Sequence, residues 1–262
     1  MVKVSIVIPV YKPDEEVLNK VREMLKKQTV RAEVVENWNM PEAKSMNTGI
    51  KKAKGDIIVT LDQDCVPENE FWLETLIKPL KNKKISATVS DLYLPEDYWK
   101  KYPFFTRVLT VSERVVKYSG MDARGCAYRR ETLKKTGLFN ENPDVIAIEA
   151  DLYHNLKREG EICHPGCMIY HMHPFDNWKK MKLDYKYSFS NGQIVRSEGL
   201  NAHVFFRKIM RGIPLLGLGS LFYRFQFKKY FYLFPFFAVF SIVQHINCVY
   251  GFWRGFFSFK KK

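Results

Sequence analysis

Residues 55–67 read Gly-Asp-Ile-Ile-Val-Thr-Leu-Asp-Gln-Asp-Cys-Val-Pro, and no other stretch constrains the fold as much. Ile57, Ile58, Val59 and Leu61 form an apolar, β-branched run bounded by Gly55 and Pro67. Such a run predicts a buried strand of a parallel sheet. It delivers Asp62-Gln63-Asp64 to the carboxyl end of that strand, where open α/β sheets bind their ligands. Two carboxylates two residues apart repel each other and lose hydration on burial unless a cation joins them. Hard oxygen ligands of this kind suit a divalent cation that also holds a diphosphate. Taken alone, Asp-x-Asp also fits a strand-end loop that is simply acidic.

The flanking sequence repeats the strand–helix alternation. Val4-Ser5-Ile6-Val7-Ile8-Pro9-Val10-Tyr11 is a second apolar run. Asp14-Glu15-Glu16 then open a helical pattern (Val17, Leu18, Val21, Met24, Leu25) that closes on Lys26 and Lys27, acids first and bases last as the helix dipole prefers. Val34-Val35-Glu36 reads as a short strand, and Ser45 to Lys54 leads back into the acidic one. The alternation predicts an α/β layer with a mostly parallel sheet flanked by helices.

At this point the chain resembles a known family. Ser5-Ile6-Val7-Ile8-Pro9-Val10-Tyr11, Asn47-x-Gly49-Ile50-x-x-Ala53-x-Gly55-Asp56 and Leu61-Asp62-x-Asp64 are similar to motifs of the family 2 glycosyltransferases of the GT-A (Rossmann-like) fold. Gly125-x-Ala127-x-Arg129-Arg130-Glu131 through Asn140-Glu141 resembles the acceptor-side segment of that family, and Glu149-Ala150-Asp151 its base motif. Pro165 to His171 resembles the strand that follows. The resemblance implies a nucleotide-diphospho-sugar donor, a divalent cation (Mn²⁺ or Mg²⁺) and inversion at the sugar. It implies Asp64 as metal ligand with His171 or His173, and Asp62 on the ribose or the metal shell. It puts Pro9, Tyr11, Glu36 and Gln63 at the nucleotide. Lys44 stands in for an arginine often found where this chain has Met46. Apart from the resemblance, the charges of Arg129-Arg130 fit either a diphosphate or acceptor phosphate, with Arg130 at the donor, or a solvated helix start. Glu149 matches the catalytic base, although the usual Glu-Asp is Ile148-Glu149 here, and Asp151 is the reserve. General-base chemistry on an acceptor hydroxyl and charge stabilisation on a departing diphosphate require these residue types.

The net charge of +14 is unevenly spread. Residues 199–262 hold ten Lys or Arg and no acid, leaving only +4 on residues 1–198. Basic residues interleaved with Phe and Tyr fit either nucleic acid or a membrane interface. The membrane is favoured, because Tyr230 to Trp253 carries no charged residue over a length that matches a bilayer of ~30 Å. Pro235, Gln244, His245 and Asn247 interrupt the apolar character, so helices lying in the interface are expected rather than one span. Five cysteines without a paired pattern fit a reducing compartment. Cys163-His164-Pro165-Gly166-Cys167 reads as strand and turn rather than a zinc site.

These readings divide the chain into a catalytic domain over 1–198 and a helical membrane-associated region over 199–262, with no nucleic-acid partner. No signal peptide is expected, so the enzyme is placed at the cytoplasmic face of a membrane. The expected activity is transfer of a sugar from a GDP- or UDP-sugar to a lipid-linked or cell-surface glycan. A polyprenyl-phosphate sugar synthase is the nearest alternative. A nucleotidyltransferase lacks its Gly-rich loop here, and a basic binding protein leaves Asp62, Asp64 and Glu149 without purpose.

Overall fold

The computed structural model describes residues 2–111, 114–116, 121, 123–142, 148–172, 177–198, 212–214, 225 and 227–258. They form two compact units, one from Met1–Pro95 with Val115–His173 and one from Glu96–Arg114 with Pro174–Lys262.

The first unit is built on a six-stranded sheet. Its strands are β1 (Val4–Val10), β2 (Glu33–Trp38), β3 (Ile57–Thr60), β5 (Ile85–Val89), β8 (Cys126–Arg129) and β9 (Glu161–Cys163), in the order β2-β1-β3-β8-β5-β9. β1 pairs parallel with β2 and β3, β5 pairs parallel with β9, and only β8 runs antiparallel to its neighbours. A smaller sheet joins β4 (Cys65–Pro67), β10 (Met168–His171), β6 (Asp91–Tyr93) and β7 (Val115–Val116) in that order. The expected mostly parallel α/β layer is thus present.

Two helices show how the sequence builds this layer. α1 (Glu15–Lys26) starts where the Asp14 side chain accepts from the Glu16 and Val17 N–H groups, and it buries Val17, Leu18 and Val21. α2 (Glu42–Lys52) lies against β1, and Gly49 is the closest point. A Cβ there would stand 2.3 Å from Val7 Cγ1 and 2.4 Å from Asn37 Nδ2, so the glycine of the Asn47-x-Gly49 motif serves packing. Asn47 binds the acceptor-side segment: its amide donates to Phe139 O (2.9 Å) and Glu141 Oε1 (2.7 Å) and accepts from Phe139 N–H (3.0 Å). α3 (Trp72–Ile77), α6 (Arg130–Thr136) and α7 (Ala150–Glu159) complete the unit.

The second unit contains α4 (Glu96–Lys100), α5 (Phe104–Thr110), α8 (Asn177–Glu198), α9 (Phe227–Tyr230) and α10 (Phe234–Ser258). α8 and α10 lie side by side, Gln244 donating to Asp184 Oδ2 (2.5 Å) and Asn247 to Met181 O (2.8 Å). Those bonds explain why α8 belongs with the C-terminal helices, whereas the sequence reading kept it in the catalytic domain up to residue 198. Arg114 is buried with its guanidinium over Trp99 (5.1 Å) and Tyr230 (5.5 Å), 3.4 Å from Glu96, which also binds Lys229.

α10 has two unlike faces. Phe237, Ser241, His245, Cys248, Gly251, Phe252 and Gly255 are buried. Phe236, Val239, Val243, Ile246, Tyr250, Trp253 and Phe257 are exposed, spaced alternately three and four residues apart so that they share one stripe. The segment Phe231–Ser258 is long and apolar enough to cross a membrane, with a mean hydropathy of 1.5 over its best window.

Candidate active site

The acidic strand end is held by three backbone hydrogen bonds. Leu61 N–H donates to Val7 O (3.0 Å) and Cys65 N–H to Asp62 O (3.1 Å), which closes a tight turn over Asp62-Gln63-Asp64. Met172 N–H donates to Asp64 O (2.8 Å), tying the turn to the end of β10. β10 runs antiparallel to β4 with His171 opposite Cys65. That register brings His171 Nε2 to 3.5 Å from Asp64 Oδ2.

Asp64, Cys65 and His171 offer ligand atoms that all lie within 4.8 Å of one another. Cys65 is fully buried among core residues, whereas Asp64 and His171 stay partly open to solvent. A carboxylate oxygen and an imidazole nitrogen, with Asp62 two residues away, fit a divalent cation such as Mn²⁺ whose remaining ligands come from outside the protein. His173 lies outside the described residues. Among the described residues, Cys163, His164 and Cys167 do not bring three ligand atoms together. Cys167 is buried beside Ser90 Oγ (3.6 Å), and burial pushes its thiol up to about 11, so it stays protonated.

The residues expected at the nucleotide divide. Gln63 and Tyr11 meet: Tyr11 N–H donates to Gln63 Oε1 (2.8 Å) and Gln63 Nε2 to Tyr11 O (3.1 Å). The Gln63 amide thus fixes the loop after β1 next to the acidic turn, and leaves the Tyr11 ring exposed. Pro9 lies one residue before the end of β1, level with Asn37 on β2. Lys44 is exposed on α2. Glu36 is taken by Arg22, whose Nε and Nη2 each donate to it at 2.7 Å. The Arg22 hydrogen bonds hold the Glu36 carboxyl below its usual range.

Arg130 is placed elsewhere. β8 runs antiparallel to β3 with Arg129 opposite Ile57, so Arg130 lies at the amino end of β3, away from Asp62 and Asp64. There it donates to Gly55 O (2.6 Å), Ala53 O (2.6 Å) and Ile50 O (3.4 Å), closing the carboxyl end of α2. The phosphate-facing role expected from the sequence does not match this position.

Glu149 and Asp151 occupy the start of α7. Glu149 O accepts the first helical bond from Tyr153 N–H (2.8 Å), and the half-buried Glu149 side chain makes no capping bond. Asp151 accepts from Asn140 Nδ2 (2.8 Å) and is exposed, so it ties the helix start to the acceptor-side segment. One residue the sequence did not single out also enters the centre: Arg124 Nη1 lies 3.3 Å from Nδ1 and 3.4 Å from Nε2 of His171. Its only sequence signal is its place directly before Gly125.

A mostly parallel α/β sheet thus has an acidic strand end that meets a histidine from a second sheet, an arrangement that fits a GT-A glycosyltransferase. The sequence profile of Glycosyl transferase family 2 matches residues 19–178, well over half of the chain, and the chain belongs to that family. Among solved structures, the chain is similar to a mannosyltransferase from Pyrobaculum calidifontis in complex with GDP-Man and Mn²⁺, at 12% identity and a TM-score of 0.53, covering 99% of this chain and 76% of that one. It also matches Staphylococcus aureus TarS 1-349 with UDP-GlcNAc (12% identity, TM-score 0.49, 98% of this chain and 91% of that one). A third match is GalNAc-T7 with UDP, GalNAc and Mn²⁺ (16% identity, TM-score 0.49, 73% of this chain), of whose length the chain spans 51%. At these identities the likeness is one of fold. No curated protein matches the sequence.

Proposed function

We propose that this glycosyltransferase is a metal-dependent, inverting enzyme that moves a sugar from a UDP- or GDP-sugar to a lipid-linked or cell-surface glycan at the cytoplasmic face of a membrane. The observation that carries the reading is the convergence of Asp64 and His171, from separate strands, at the carboxyl end of β3. In this reading Asp64 and His171 hold the cation, and Asp62 takes the ribose or the metal shell. The cation supplies positive charge to the two phosphates as the sugar departs. Pro9 and Tyr11 line the nucleotide side, with Gln63 fixing the Tyr11 backbone and Lys44 near the phosphates. Glu149 takes the proton of the acceptor hydroxyl. The hydroxyl oxygen bonds to the anomeric carbon as that carbon's bond to the diphosphate oxygen breaks, which inverts the centre. Glu149 is favoured over Asp151 because Glu149 is the residue in register with the base motif of the family the chain resembles.

The exposed stripe on α10 supports the membrane part. A helix that carries no charged residue from Phe234 to Trp253, buries one face and presents seven apolar side chains on another is suited to lie at the headgroup level, with Lys and Arg drawn to anionic lipid. The reading is tested by calorimetric titration of the full chain with a panel of UDP- and GDP-sugars, with and without Mn²⁺. Metal-dependent binding of one nucleotide series is expected. Failure of every member to bind in the presence of Mn²⁺ contradicts it.

A further inference from the structure

Arg124 brings a permanent positive charge into the acidic centre. Its Nη1 is nearly equidistant from both ring nitrogens of His171, at 3.3 and 3.4 Å, so it rests against the ring rather than donating in line to one ring nitrogen. His171 is in turn the group beside Asp64 Oδ2. The backbone under Arg124 is fixed on both sides. Thr60 Oγ1 donates to Ala123 O (2.7 Å), Gly125 N–H donates to Thr60 O (2.9 Å), and Ser90 N–H donates to Gly125 O (2.9 Å). Gly125 has φ +96°, and a Cβ there would stand 2.7 Å from Ile169 Cδ1 on β10. The Arg124 backbone is therefore pinned between the end of β3 and β10.

A guanidinium against the His171 ring and a divalent cation held by that same ring repel each other. A guanidinium also presents a planar fork that matches phosphate in two parallel hydrogen bonds. We propose that Arg124 competes with the divalent cation for the His171–Asp64 pair and, displaced by it, turns its fork onto the diphosphate of the donor. Arg124 is then a donor-binding residue that exchanges the His171 ring for the anionic diphosphate as the metal–nucleotide enters. This rests on the reading of the site as a metal–nucleotide site. Its consequence is a pair of effects of opposite sign. Removing the guanidinium strengthens binding of the metal alone and weakens binding of the metal-bound diphosphate. An arginine that only braces the fold moves both constants the same way.

The test uses the full chain and follows free Mn²⁺ by electron paramagnetic resonance, alone and then with UDP, GDP or inorganic pyrophosphate at saturating Mn²⁺. Arg124→Gln is expected to bind Mn²⁺ alone about fivefold more tightly. It is expected to bind the best diphosphate about tenfold or more weakly. Arg124→Lys keeps the charge without the fork and is expected to fall between. Constants that stay unchanged, or that both weaken, overturn the proposal. Asp64→Ala in the same titration separates the two levels. If it keeps the Mn²⁺ affinity of the parent, the metal–nucleotide reading itself fails. If it loses Mn²⁺ binding while the Arg124 variants leave both constants in place, only the role of Arg124 fails.

Discussion

At Glu149 the chemistry of one carboxylate can be separated from the structure around it. Its backbone carbonyl makes the first helical bond of α7, and its side chain makes no cap. Glu149→Gln therefore keeps the helix start and removes the proton acceptor. We expect kcat to fall by about 10²-fold or more with donor affinity nearly unchanged, since a positioned general base contributes about 10²–10⁴. Asp151→Asn is expected to change kcat far less, because it disturbs only the Asn140 contact. Single-turnover and steady-state kinetics on both variants check this. If Asp151→Asn shows the large loss and Glu149→Gln does not, the base lies two residues further along. The strand that leads to Asp62 and Asp64 and the helix start at Glu149 were legible because they are locally readable elements. Arg130 was not, because its position follows from antiparallel pairing of β8 with β3, a non-local register that local sequence does not encode. Arg124 was missed for the same reason, since its partner His171 arrives on a strand from much later in the chain.

At the scale of elements, the helices and strands near the amino end followed closely from pattern. The Asp14 cap, the apolar period of α1 and the β-branched runs of β1 and β3 are local signals that tertiary packing reinforces. The link between α1 and β2 was not legible. Arg22 and Glu36 form a two-point ion pair across these elements, with Arg22 also over the Trp38 ring at 5.9 Å. The folded Glu36 carboxyl is held below its ordinary value chiefly by the Arg22 hydrogen bonds. A depressed carboxyl stabilises the fold fully above its unfolded range of about 4.3, and that stabilisation is lost as pH falls through the folded value. We therefore expect Arg22→Ala to lower stability at neutral pH by about 1.5 kcal/mol or more. Urea unfolding at neutral and at acid pH is expected to show the difference shrinking as pH falls below the unfolded carboxylate range of about 4.3. An equal difference at both pH values contradicts this account of the pair.

For the whole molecule, the sequence showed that the carboxyl-terminal part is chemically unlike the rest, through its absence of acids and wealth of aromatics. It did not show that residues 96–114 and α8 belong with that part, because contacts between distant segments decide the matter. The face of α10 that carries Val239 and Ile246 is the expected lipid contact. Val239→Asp with Ile246→Asp places two charges on that exposed stripe without touching the buried face. Full-length protein is expected to co-sediment with anionic vesicles, with attraction of about 1 kcal/mol per Lys or Arg near the surface that weakens with salt. The double variant is expected to stay largely in the supernatant, with the parent's circular dichroism. Equal sedimentation of both assigns membrane attachment to other residues.

The central claim is that Asp64 and His171 hold a divalent cation on which transfer depends, and release of nucleoside diphosphate tests it most directly. The full chain is incubated with Mn²⁺ and each UDP- or GDP-sugar, and the released UDP or GDP is measured with and without excess EDTA. We predict turnover of one donor series, abolished by EDTA, restored by added Mn²⁺, and absent in Asp64→Ala. Turnover that continues undiminished in EDTA, or in Asp64→Ala, would contradict the account.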